Sequence, residues 1–218
     1  MFLFGIASYM SGQFLTDAVI VRGDFAGTAD NVAASDHAYR VGLMLMLVTS
    51  WGTVLLAGVL YLLLKPVAPM IALFALLWRA AEATLGGVAS VLRYAGLHNY
   101  TTSGADIGTR QLLGKLIAAG VDDTINGATL FFAAGSFLFF SLLFRSRFMP
   151  RALSALGVFA SLAIGVLGCA HLVLSEPPPA LEYAGAPIFV AEIVTGFWLL
   201  LAGANFNYWN NRVTVADS

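Results

Sequence analysis

The chain has 218 residues, 59% of them hydrophobic and only 11% charged, with a net charge of −1. A soluble domain carries about a quarter charged residues, so this chain has too little polar surface to cover a water-facing globule and points to lipid as its solvent. The near-neutral charge excludes a basic nucleic-acid-binding surface, and a single cysteine, Cys169, excludes an internal disulfide.

A helix that crosses a bilayer needs about 20 mostly apolar residues, and six segments meet that need. The first runs from Phe2 to Val21; no basic stretch precedes it, which predicts a retained helix and not a cleaved signal. Between Arg22 and Tyr39, Thr28 or Asp30 is placed to cap a short helix. The second span runs from Arg40 to Leu64, and Lys65-Pro66-Val67-Ala68-Pro69 then breaks the helix and opens the next. The third runs from Val67 to Gly96, long enough to tilt. In the connection from His98 to Asp123, Leu112, Leu113, Leu116, Ile117 and Val121 fall at helical spacing. They predict a short amphipathic helix, either lying in the interface or packed on the helix ends. The fourth span runs from Thr124 to Phe144 and is followed by the basic turn Arg145 to Pro150. The fifth runs from Arg151 to Leu174 and stops at Glu176-Pro177-Pro178-Pro179. The sixth runs from Ala186 to Phe206. The expected fold is all-α, a polytopic transmembrane bundle of six helices, with residues 1–218 forming a single transmembrane domain.

Loop lysines and arginines set the orientation. Lys65, Arg145, Arg147, Arg151 and Arg212 fall on one side; Arg22, Arg110 and Lys115 fall on the other, among most of the carboxylates. The bias puts both termini in the cytoplasm.

Several motifs resemble a family of bacterial six-helix membrane proteins known as a domain of unknown function. They are Gly23-Asp24, Thr28-Ala29 and Asn31 with Tyr39-Arg40-Val41-Gly42, then Trp78-Arg79-Ala80-Ala81-Glu82-Ala83 in the third span, Phe144-Arg145-Ser146-Arg147-Phe148-Met149-Pro150-Arg151-Ala152-Leu153 at the basic turn, and Phe189-Val190-Ala191-Glu192 in the last span. The resemblance covers nearly the whole chain. It implies six helices in a bacterial cytoplasmic membrane and no particular reaction. The polar stretch Asn99 to Gly120 departs from the family's pattern.

Ionisable residues inside spans are rare and face a protein interior or a cavity. Arg79 and Glu82 lie near the middle of the third span, three residues apart, and so share a face. With Gly86, Ser90 and Arg93 they form a stripe of polar and small residues that is expected to face inward. Asp17, Arg40, His171 and Glu192 sit toward the outer ends of other spans, with Thr195 on the face of Glu192. Together these predict a polar site in the extracytoplasmic half. The alternative is structural: Arg79–Glu82 and Arg93–Glu192 as ion pairs that fix helix register, and Arg40 reaching to the interface. His37, His98 and His171 lack diagnostic metal spacing, so no metal and no cofactor is expected. Cys169 is expected to be a small core residue, and Trp51 or Trp78 could wall a pocket. Small residues of the fifth span, Ala160, Ser161, Ala163, Gly165 and Gly168, permit close helix approach, within the chain or to a partner.

Three functions of different classes fit. In the first, Arg40, Arg79 and Arg93, with Glu82, His171 and Glu192, bind the anionic head of a small amphiphilic or lipid-like molecule. In the second, Glu82, Glu192 or Asp17 hands a proton to a lipophilic substrate in a cyclase- or isomerase-type enzyme. In the third, the chain is an accessory subunit of a larger membrane complex. No span carries a lysine for a Schiff base, an arginine ladder or a phosphate loop.

Overall fold

The computed structural model describes residues 1–21, 23–102, 104, 106–174 and 177–203. The sequence readings that fall on Arg22, Glu176, the end of the sixth span at Phe206, and Arg212 lie outside the described residues. Among the described residues every regular element is helical: α1 Phe2–Asp17, α2 Phe25–Ala34, α3 Asp36–Leu64, α4 Pro69–Thr101, α5 Ile107–Ser146, α6 Arg151–Val173, a 3-10 helix Pro179–Gly185, and α7 Ala186–Leu201.

Five of these stretches are long and apolar enough to cross a membrane: α3, α4, α5, α6 and the continuous 179–201 segment that contains α7. The expected count of six falls to five because α1 is 16 residues long. At about 1.5 Å per residue it measures roughly 24 Å, short of a hydrocarbon core of about 30 Å. A second difference concerns the amphipathic helix expected before the fourth span. It is not a separate element, because α5 runs unbroken through 40 residues and includes it. Nothing between Gln111 and Phe144 stops a helix: there is no proline, and Gly114, Gly120, Gly127 and Gly135 cost only about 1 kcal/mol each relative to alanine. Leu112 and Leu116 on its N-terminal part are exposed, while Val121 is buried.

The helix ends follow local chemistry. Asp24 caps α2, its carboxylate accepting from Gly27 N at 2.9 Å. Thr28, expected as a cap, is instead buried, and its hydroxyl donates to Asp24 O at 2.8 Å and accepts from Val21 N at 3.0 Å. Pro66 and Pro69 separate α3 from α4, since neither supplies an N–H. Asp106 caps α5: Oδ1 accepts from Thr109 N at 3.0 Å and Oδ2 from Thr109 Oγ1 at 2.5 Å. Those bonds from Thr109 hold the Asp106 carboxyl below the usual aspartate value. In the turn before α6, Arg147 takes a left-handed backbone (φ 58°), and Phe148 is buried.

The chain forms two compact units. The first comprises 1–3, 52–83 and 126–218. Its core includes Leu60, Leu64, Phe139, Phe140, Phe148 and Ile188. Close helix approach is built in at glycines. A Cβ on Gly157 would collide with the Phe140 ring, and one on Gly168 would lie 2.9 Å from Leu130 Cδ2. The small residues of α6 are therefore used within the chain, against α5. Lipid tails are as apolar as leucine, so this packing stabilises through dispersion contacts and not through removal of area from water.

The second unit comprises 4–51 and 84–125. In it α1 crosses α3 at two glycines: a Cβ on Gly12 would lie 2.7 Å from Gly42 O, and one on Gly42 2.8 Å from Gly12 O. Val19, Val32, Tyr39, Leu43 and Leu97 form its apolar core, with Tyr94 and Tyr100 packed on it. Arg110 ties the start of α5 to the end of α4, donating to Asn99 O at 3.1 Å and Tyr100 O at 2.8 Å, while Asn99 Nδ2 donates to Arg110 O at 2.8 Å.

Candidate functional site

The first unit holds the deepest charges. Arg79 and Glu82, one helical turn apart on α4, point along the same face. Arg79 is 6% exposed. Its Nη1 stands 3.0 Å from Glu82 Oε2 and donates to Ser136 Oγ of α5 at 3.2 Å. The contact with Glu82 is one of charge with charge: the N–H does not aim at that oxygen, and Oε2 is buried with no hydrogen-bond donor among the described residues. The arginine stem lies on Gly135, where a Cβ would be 2.8 Å from Arg79 Cγ. The guanidinium carbon sits 4.6 Å from the centre of the Phe132 ring, a cation–π contact in a medium without competing water.

Glu192 enters from α7. It is partly buried, and its carboxyl feels the charge of Arg79 while acting in turn on Glu82. Arg79, Ser136 and Glu192 line one cavity whose other walls include Phe2, Leu60, Phe140 and Leu143. The space open to a water-sized sphere is about 10 Å³, room for about one water molecule. The cavity lining therefore combines two ionisable groups and a hydroxyl with hydrocarbon side chains. One turn on from Glu192, Thr195 is fully buried and its Oγ1 has no hydrogen-bond partner among the described residues. A helical threonine often donates to the carbonyl four residues back; this one does not.

Asp17, Arg40 and Arg93 belong to the second unit. Arg40 Nε pairs with Asp36 Oδ2 at 2.7 Å, with side chains 43% and 34% exposed. Arg93 is partly buried, and its Nη1 donates to Met46 Sδ at 2.6 Å. Asp17 is exposed at the end of α1, near Tyr39. His171 is in the first unit, partly buried in the last turn of α6, and is not among the residues that line the cavity. Of the stripe expected to face inward, Arg79 and Ser90 are buried, and Glu82, Gly86 and Arg93 partly so. Three expectations are corrected. Cys169 is exposed, on the outward face of α6. Trp51 and Trp78 are 59% and 40% exposed and do not line the cavity beside Arg79; Trp78 rests against Phe131 at 5.4 Å. Among the described residues no three His, Cys, Asp or Glu side chains gather as a metal site would require.

The family model described as Domain of unknown function (DUF4386) matches residues 1–203. The chain belongs to this family. No curated protein and no solved structure matches it. The family assignment fits a multi-pass membrane protein built from apolar helices and carries no reaction with it, so what the chain does has to be argued from the residues around Arg79.

Sequence reasoning found Arg79, Glu82 and Glu192 as charges inside spans. It missed the residues that hold Arg79: Gly135, Ser136 and Phe132. A signal for them exists. A glycine followed by a serine in the middle of an aromatic-rich span marks a place where a neighbouring side chain lies against the backbone and finds a hydroxyl.

Proposed function

We propose that this integral membrane protein binds a small amphiphilic or lipid-like molecule, with the anionic head group drawn to Arg79 and the apolar part against the hydrocarbon wall. The observation that carries this reading is the lining of the cavity, a guanidinium, a hydroxyl and a carboxyl together with phenylalanine and leucine side chains. A guanidinium suits carboxylate and phosphate because its N–H groups form a planar fork. At rest the cavity takes about one water, so binding opens its walls. In this reading the protein sits in a bacterial cytoplasmic membrane, with the basic turn Arg145 to Pro150 on the cytoplasmic side.

A second reading, an intramembrane acid–base enzyme acting on a lipophilic substrate, is favoured by the two carboxyls, Glu82 and Glu192, that share one arginine. An accessory-subunit role draws less support, because the small residues of α6 are occupied by α5.

The test is thermal unfolding of the full chain in lipid nanodiscs with dodecyl phosphate and, separately, inorganic phosphate. Dodecyl phosphate should raise the melting temperature of the wild type and of Arg40→Gln, and leave Arg79→Gln unmoved. An equal shift in all three, or none in the wild type, overturns the reading. A matching shift with inorganic phosphate assigns the head group alone as the ligand.

A further inference from the structure

We infer that Glu82 and Glu192, both grouped around Arg79, together hold one exchangeable proton: Glu82 stands 3.0 Å from its guanidinium and Glu192 lines the same cavity as Arg79. The inference concerns the same arginine as the ligand reading but does not need the ligand.

The first ground is charge. Arg79 acts on both carboxyls, and Glu192 acts on Glu82. The rest of the cavity lining brings no charged side chain. From α1 comes Phe2, from α3 Leu56 and Leu60, and from α5 the Ser136 hydroxyl with phenylalanines. The helix α6, which packs on α7, buries Ala160 and Ser161, and the Ser161 hydroxyl already donates to Gly157 O at 2.7 Å. Two carboxylates against one guanidinium leave an excess negative charge in surroundings that solvate it poorly, and the cheapest cure is one added positive charge.

The second ground is hydrogen bonding. Glu82 Oε2 receives a charge contact but no hydrogen bond, and Thr195 Oγ1 is buried without any partner among the described residues. Unmet buried polar atoms are unusual and call for an occupant. A proton on one carboxyl turns an acceptor into a donor, and a water in the cavity extends the network.

The third ground is space. A metal cation would also balance the charge, but Arg79 stands in the way and repels it, and there is room for one water and not for a hydration shell. A proton needs no volume, and the same water gives it a route for exchange.

Infrared spectroscopy of the full chain in nanodiscs at neutral pH tests the site. The wild type should show the C=O band of a protonated carboxyl, and transfer to D₂O should shift it. Glu82→Gln and Glu192→Gln should each abolish that band, because the single carboxylate left then matches Arg79 charge for charge. Absence of the band in the wild type, or its survival in both variants, overturns the proposal. Circular dichroism identifies which variants fold, and either one suffices. If both unfold, Glu192→Asp decides: it keeps the carboxyl, so the band must persist at a changed frequency, and an unchanged band means that it arises elsewhere. The ligand test fails separately. Stabilisation by dodecyl phosphate without the band removes the proton site and leaves the ligand reading, and the band without stabilisation does the reverse.

Discussion

Two ion pairs of similar local spacing mark the two units. Arg40 and Asp36, four residues apart in the second unit, have side chains 43% and 34% exposed. Arg79 and Glu82, three apart in the first, have side chains 8% and 19% exposed. The exposed pair closes on itself within the first turn of α3. The buried one recruits a hydroxyl and an aromatic face from α5 and shares its electrostatics with α7. The difference teaches that sequence spacing makes a pair possible, while the neighbours decide whether breaking it matters.

The largest test of this contrast is Arg79→Ala. It strips the first unit of its buried cation, leaves Glu82 and Glu192 without the positive charge that acts on both, and empties the groove over Gly135. Removing one partner of a buried pair costs about 3–5 kcal/mol, read as a lower melting temperature in scanning calorimetry. Arg40→Ala should leave the melt where it was. Equal effects in the two variants would erase the distinction between the pairs. Next comes Ser136→Ala. A hydrogen bond to a charged group is worth about 1.5–3 kcal/mol, and the loss should be absent when Arg79 is already alanine, since the two belong to one network.

How much of this could be read beforehand differs between backbone and site. The apolar runs gave α3, α4 and α6 to within a few residues, because lipid enforces long helices wherever polar residues stop. The first span and the separate amphipathic helix differ in extent from the structure for one reason. Composition reports where a segment is apolar but not where the hydrogen-bond ladder ends, so α1 closed at Asp17, before Val21, and α5 began at Ile107, long before Thr124. In the site, Arg79 and Glu82 were legible as a pair because helical periodicity fixes their relation. Glu192 was legible only as a lone charge, since its distance from them depends on how α7 packs. Asp17, Arg40 and Arg93 looked equivalent to it by depth, yet they belong to the second unit. Cys169 was misread because a small residue in a span carries no signal for the face it takes.

Glycines sharpen the comparison at the scale of packing. Gly157→Ala drives a methyl into the Phe140 ring, and overpacking of this kind costs about 1–3 kcal/mol. Gly58, also on a helix of the first unit, has nothing within 4 Å of the place a methyl would take, so Gly58→Ala should stabilise by roughly 0.5–1 kcal/mol. Thermal melts of the two variants that move in the same direction would show that α5 and α6 can part to admit a methyl. The smallest effect concerns the start of α5. The Asp106 carboxyl is held below its usual value by bonds from Thr109, so its contribution is complete above the ordinary aspartate value and fades as the pH falls through the lowered one. The protection of the first-turn amides of α5, their exchange rate set against the intrinsic rate at the same pH, should fall on acidification in the wild type. In Asp106→Ala it should be low at every pH.

The length of α5 has a mechanical consequence. Forty residues at about 1.5 Å each give a rod of roughly 60 Å, about twice the hydrocarbon thickness. Even leaning by about 40°, the steepest tilt commonly seen, it would rise about 46 Å. Roughly a third of the rod must therefore stand in headgroups or water, and the end carrying Arg110, Lys115, Asp122 and Asp123 is chemically suited to that. Such a projecting stalk gives the cell a handle on a protein otherwise hidden in lipid, reachable by proteases, antibodies and anything else that works from the aqueous side.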